Sequence, residues 1–225
     1  MHELRKMRAG LSHGSLVFQG KDCSGDAERP ALLALHRDCP GEEAVDRLSG
    51  KPKFATAWLG GCSGCHMSFL DLDERLIELA DLVDLCYSPF ADAKEFPEKI
   101  DITLVEGAVA NTDHLRDIHL IRQRTKILVA FGDCAVTGNV TALRNLFPVE
   151  EVLERAYGDA AIVVGIPFGN GLVPKLLQPV LRIQDVVPVD HFLPGCPPSA
   201  DAIFDFVTDL LAGREPAAKP RKFGS

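Results

Sequence analysis

The sequence predicts an α/β fold, a parallel sheet with helices on both faces. Three observations point there. Short apolar runs alternate with segments of helical periodicity from residue 54 onward. The runs are almost continuously apolar, as strands buried on both faces must be. Three of them lead into small glycine-bearing loops, which in such a sheet fall in the crevice outside the carboxyl ends of the strands.

The elements follow in order. Phe54-Ala55-Thr56-Ala57-Trp58-Leu59 reads as a strand running into Gly60-Gly61-Cys62-Ser63-Gly64-Cys65. Residues 68–82 place Phe69, Leu70, Leu72, Leu76, Ile77, Leu79 and Ala80 at helical spacing, with acids on the other face. Asp84-Leu85-Cys86-Tyr87 is a short strand with Cys86 as a core residue. Ile102-Thr103-Leu104-Val105 is a buried strand ending on Glu106 and Gly107. Residues 112–123 predict a helix capped by Asn111 or Thr112. Residues 126–131 form the next buried strand, entering the loop of Cys134. A helix over 139–147 stops at Pro148. Strand candidates at 161–164 and 186–192 follow, the second entering Pro194-Gly195-Cys196-Pro197-Pro198. A closing amphipathic helix spans 199–212 with Ser199 as its cap.

Residues 1–50 differ from this pattern. They are rich in Gly, Arg and Asp, with short helix signals from Pro30 to His36 and from Gly41, and read as an extension. Cys23 and Cys39 lie there without paired spacing, as buried or free thiols. The reading is therefore an extension over 1–50, a main domain over 51–216 and a tail over 217–225.

Composition narrows the function. A hydrophobic content of 46% fits a packed core. A net charge of −8 argues against sequence-independent nucleic-acid binding. No apolar run approaches the ~20 residues that span a bilayer. The amino terminus carries neither an apolar signal region nor a twin-arginine motif, so a cytoplasmic protein is expected. Seven cysteines in a reducing compartment favour metal ligation or buried thiols over disulfides.

Four of those cysteines sit on the predicted strand-end loops: Cys62, Cys65, Cys134 and Cys196. A thioredoxin-like reading of the Cys62–Cys65 pair leaves the other two unexplained. Structural zinc commonly uses two close pairs, whereas here one pair is joined by two distant single cysteines. A cubane needs four thiolates in a pocket of small residues and backbone N–H groups, and glycines lie beside the ligands. Spacing alone favours a [4Fe-4S] cluster, with zinc as the alternative. Glu106 ends a buried strand at the edge of this site. It suits proton relay or orientation of loop N–H groups, and equally a plain strand-end acid. Asp133, beside Cys134, has the same readings. His66 has three readings, ligand, relay or surface residue, and four cysteines already complete a cubane. No phosphate-loop glycine pattern occurs.

Taken in order, four segments resemble the small subunit of nickel–iron hydrogenases, in the short cytoplasmic form of bidirectional NAD-coupled enzymes. They are the run from Trp58 to Glu74, Leu104-Val105-Glu106-Gly107-Ala108-Val109, Phe131-Gly132-Asp133-Cys134-Ala135, and Phe192 to Pro198. The resemblance covers about Lys51 to Pro216. It implies a flavodoxin-like domain whose Cys62, Cys65, Cys134 and Cys196 ligate one proximal [4Fe-4S] cluster. It also implies partners, a large subunit holding the nickel–iron centre and NAD-reducing flavin and iron–sulfur diaphorase subunits. Electrons from H2 would pass through the cluster to the flavin module, or back. The resemblance admits FMN as well, which no residue here specifies.

The chain departs from larger relatives in three ways. It stops soon after Pro216, where they continue into a further domain with more clusters, so one cluster is expected. Met67 stands where they place a glutamate implicated in proton transfer, and Glu106 is not an established substitute. The stretch from Tyr157 to Gly171 is shorter than usual. Two competing readings remain. One is an iron–sulfur subunit of a complex I-like, quinone- or ferredoxin-linked complex, whose corresponding subunit carries adjacent cysteines rather than a spaced pair. The other is a zinc-stabilised interaction module.

Overall fold

The computed structural model describes residues 50–159, 165–166 and 173–216. Five parallel strands form its main sheet: β1 (Lys53–Trp58), β2 (Asp84–Tyr87), β3 (Ile100–Glu106), β5 (Thr125–Phe131) and β7 (His191–Leu193), in the order β2-β1-β3-β5-β7. Counting only its own strands, the order is 2-1-3-4-5, that of the flavodoxin-like arrangement. A small antiparallel pair, β4 (Val109–Asn111) and β6 (Leu176–Leu181), stands apart from it.

The central strands β1, β3 and β5 are largely apolar along their middles because both faces are covered. Successive residues of β5 divide between two cores: Val129 and Phe131 face one, Leu128 and Ala130 the other. The helices that cover them are α1 (Gly64–Leu70), α2 (Arg75–Leu82), α3 (Thr112–Arg124), α4 (Asp133–Thr137), the short α5 (Asn139–Ala142) and α6 (Val149–Leu153), and α7 (Ala200–Leu211). The first core takes Phe69 of α1, Leu79 of α2 and Ile203, Phe206, Val207 and Leu210 of α7. The second takes Ile118 and Ile121 of α3 and Ala135 of α4. Threonines within the sheet are satisfied in pairs, Thr103 with Thr125 at 2.8 Å and Thr56 with Ser88 at 3.0 Å. Asn111 caps α3 by accepting from His114 N at 2.8 Å, and Arg122 and Arg124 occupy its last turn, where they offset the helix dipole. Ser199 caps α7.

Several expected elements differ. The helix expected over 68–82 begins earlier and is broken into α1 and α2. Leu72 is buried at the break and Asp73 turns through a φ of 50°. The change of direction lets Phe69, Leu72 and Leu79 reach one core, which a straight helix would not. The segment expected over 139–147 is the short α5 followed by a 3-10 turn over Leu143–Leu146. The strand expected over 186–192 is confined to β7. Pro188 has no N–H for the ladder, and Val187 packs into the second core together with Ile183 of a preceding 3-10 turn. The β4–β6 pair has no clear sequence signal, since β4 is three residues long and β6 contains Pro179. Cys86 is half-buried against the second core rather than fully inside it. The candidate strand at 161–164, the helix signals of residues 30–43, Cys23 and Cys39 lie outside the described residues.

Candidate functional site: a four-cysteine strand-end centre

The chain runs from β1 to β2 on one side and from β3 to β5 on the other. The strand order therefore reverses between β1 and β3, and a crevice opens at such a reversal. The first cysteine loop leaves β1 at this point, and Glu106 ends β3 beside it.

Backbone bonds lock this first corner. Leu59 N donates to Glu106 O at 2.8 Å, and Gly60 exchanges bonds with Ala108 in both directions at 2.9 and 2.8 Å. Gly107 adopts a φ of 92°, and a Cβ there would stand 2.8 Å from Gly60 N, so only glycine allows the contact. Ser63 then turns the chain with a φ of 62°, and α1 starts at once, putting Cys65 in its first turn.

The other two loops are stitched to each other and to the first. Gly132 N donates to Leu193 O, and Asp133 N to Gly195 O, each at 2.8 Å. The Asp133 carboxylate accepts from Gly195 N at 2.8 Å and so orients the loop of Cys196. Ser68 of α1 donates to Pro198 O at 2.5 Å, tying the Cys62–Cys65 corner to the same loop. Gly132, with a φ of 81°, lies directly against Cys65. A Cβ on Gly132 would fall 2.1 Å from Cys65 Sγ, far inside contact distance.

Four cysteines thus lie at one end of the sheet, Cys65 and Cys134 in the first turns of α1 and α4, Cys62 and Cys196 in the loops that follow β1 and β7. Cys65 is buried, Cys134 half-buried, and Cys62 and Cys196 exposed. Burial pushes the Cys65 thiol well up, and Glu106, Cys134, Cys62 and Cys196 push the same way. The Cys134 thiol is raised too, mainly by burial, with the Thr141 hydroxyl opposing the shift. Every influence on Cys65 disfavours its thiolate, so holding that sulfur as a thiolate calls for positive charge beside it. Four soft donors, with a bare glycine against the innermost one, fit a [4Fe-4S] cluster. Among the described residues, no three His, Cys, Asp or Glu side chains stand close enough to share one metal ion. A cubane makes no such demand, because each thiolate takes its own iron.

Glu106 is 1% exposed and wholly engaged. One carboxylate oxygen faces Cys65 N at 3.4 Å. The other accepts from His66 N at 3.0 Å and meets His66 Nδ1 at 2.5 Å. His66, also 1% exposed, is therefore not a surface residue. Its ring lies edge-on to Phe90 and Phe131, and its Nε2 has no hydrogen-bond partner among the described residues. Met67, by contrast, is 54% exposed. Sequence reasoning missed Asn139, whose side-chain amide donates to Cys196 Sγ at 3.3 Å, and Thr141, whose hydroxyl donates to Gly60 O at 2.9 Å. Their proximity to Cys134 in sequence was the one available signal.

Comparison with known proteins gives this site a context. A family model described as NADH ubiquinone oxidoreductase, 20 Kd subunit, matches residues 62–210. The chain is 41% identical over 170 residues to the delta subunit of the NAD-reducing hydrogenase HoxS of Cupriavidus necator, covering 73% of this chain and 81% of that protein. It is 41% identical over 159 residues to a subunit of the F420-non-reducing hydrogenase vhu of Methanocaldococcus jannaschii, covering 70% of this chain and only 55% of that protein. A chain in a crystal structure of NAD+-reducing [NiFe]-hydrogenase in the H2-reduced state superposes with a TM-score of 0.71 at 43% identity, over 75% of this chain and 96% of that one.

Proposed function

This chain belongs to the family described as the 20 Kd subunit of NADH ubiquinone oxidoreductase and, within it, to the small subunits of nickel–iron hydrogenases. From that premise we propose that it is the electron-relay subunit of a hydrogen:NAD+ oxidoreductase. Its partners are a large subunit that carries the nickel–iron site and a flavin-bearing module that reacts with NAD(H). The observation that carries this reading is the joining of three distant loops by Asp133, Ser68 and the Gly132–Leu193 bond, so that four cysteines share one strand-end corner.

Cys62, Cys65, Cys134 and Cys196 would hold one [4Fe-4S] cluster, which when bound takes up and releases single electrons. Oxidation of H2 yields two protons and two electrons, and reduction of NAD+ consumes two electrons and one proton, so the relay works twice per turnover. The chain's own residues set the conditions. Gly132 leaves room at Cys65, the Glu106 carboxylate holds the Cys65–His66 backbone, and the surrounding cores keep water from the inner side. Glu106 is the candidate proton-handling or loop-orienting residue. Its full engagement with His66 and two backbone N–H groups favours orientation.

Exposed apolar side chains close in sequence to the corner's loops suit a protein partner. Trp58, Met67 and Phe90 are exposed, as are Val140, Leu143 and Leu146. Among the described residues no helix is long and apolar enough to cross a membrane. The reading makes the chain a cytoplasmic subunit with one cluster, and it leaves residues 1–50 as an extension of the 51–216 domain.

The test is EPR of the anaerobically purified, dithionite-reduced protein, with iron, sulfide and zinc quantified on the same sample. About four irons per chain and a rhombic signal are expected. Zinc without iron would overturn the reading. The family description favours one further reading, a subunit of a quinone- or ferredoxin-linked complex. The spaced Cys62–Cys65 pair speaks against it, and H2-dependent NAD+ reduction by the intact complex separates the two.

A further inference from the structure

We propose that Asn139 tunes the potential of this centre: its side-chain amide donates a hydrogen bond to Cys196 Sγ and raises the midpoint potential of the cluster held there. The proposal rests on the four-cysteine cluster reading and assigns a role to a residue that reading does not require.

The geometry is specific. Asn139 Nδ2 stands 3.3 Å from Cys196 Sγ, and the two residues are 57 positions apart in sequence. The contact depends on an unusual backbone. Gly138, which links α4 to α5, has a φ of 83°, and Asn139, the first residue of α5, a φ of 37°, two successive residues of positive φ. Asparagine is among the few side chains that tolerate this conformation. The double turn closes α4, with Gly138 N donating to Cys134 O at 3.1 Å, and opens α5, with Gly138 O accepting from Ala142 N at 3.0 Å. Both of those bonds are made by the backbone of Gly138, so neither helix end uses the Asn139 side chain. The amide is instead directed across to the third loop.

The four sulfurs have different neighbours. Cys65 has the Glu106 carboxylate near it, Cys62 faces Gly64 N at 3.4 Å, and Cys134 has the Thr141 hydroxyl. Among the described residues, Asn139 is the side-chain amide that reaches a cysteine sulfur. On reduction a cluster gains one electron, and part of the added charge falls on its sulfur ligands. A donor at a ligand sulfur stabilises the more negative state and raises the potential. A neutral amide does so without a counter-charge that would need its own partner. Val140 and Leu143, exposed beside it, would be covered in a complex, and removal of water there strengthens the bond.

The experiment is an anaerobic redox titration followed by EPR on the intact complex, comparing the native protein with Asn139→Gly and Asn139→Asp. Glycine accepts the left-handed backbone freely and removes only the amide. Aspartate keeps the shape and replaces the donor with a negative charge. The expected result is full iron and sulfide content in all three, a lower midpoint potential for Asn139→Gly, and one lower still for Asn139→Asp. Equal potentials with full clusters would overturn the proposal. Loss of iron in Asn139→Gly would also overturn it, making Asn139 a strut rather than a tuning group. A native protein without iron would remove the cluster reading itself, and the metal analysis distinguishes that failure from the others.

Discussion

Cys65 and Cys196 occupy the same corner under opposite conditions. Cys65 lies against Gly132 and near a buried carboxylate, with every charge around it disfavouring its thiolate. Cys196 lies at the surface with a neutral amide pointed at its sulfur. The inner half is built for fixed position: a backbone held by Glu106, and no space to spare. The outer half leaves access and makes its adjustment through a single side chain. On the proposed reading, position and potential fall to different residues of one site.

Removing the inner sulfur strikes hardest at this division. Cys65→Ser is expected to lose or convert the cluster and abolish H2-dependent NAD+ reduction, and Cys134→Ser to do the same. Iron content and turnover of the purified complex check both, and an intact cluster with normal turnover would refute the ligand assignment. Gly132→Ala should come next. Its new Cβ would sit 2.1 Å from Cys65 Sγ on a backbone with a φ of 81°, so most of the iron should be lost although no ligand is changed.

Glu106→Gln probes the inner half more gently. The amide keeps one acceptor but turns an NH2 group toward N–H donors, at a cost of about 1–3 kcal/mol. Thermal denaturation should show that loss, and turnover should slow more than the cluster spectrum changes. Loss of the cluster would instead make Glu106 structural. The smallest effect is expected at Cys86, outside the corner. Burial, followed by the nearby Asp84 charge, pushes its thiol up to about 11. Alkylation of Cys86 should therefore be slow at neutral pH and quicken about tenfold per pH unit until the thiol ionises. Cys86→Ala should leave the cluster spectrum unchanged.

Much of this arrangement is legible in the residues alone. Apolar runs such as Ile102–Val105 and 126–131 mark buried parallel strands, and the loop after the second carries Cys134. What local pattern does not reveal is how the loops meet. The Ser68–Pro198 bond and the Asp133–Gly195 bond join residues far apart in sequence, and no periodicity encodes them. His66 admits three readings in sequence because its burial depends on Phe90 and Phe131, which arrive from other parts of the chain. The break at Leu72 is hidden for the reverse reason. The helical spacing continues across it, while the core needs the chain to turn.

The exposure of Cys62 and Cys196 has a bearing on how the protein matures. A surface thiol is open to an incoming iron donor, and equally open to an oxidant. A partner seated over Met67 and Val140 would close both approaches at once. On the proposed cluster reading, metal would have to reach these thiols before such a partner docks, and the unassembled chain would be the form most open to oxidation.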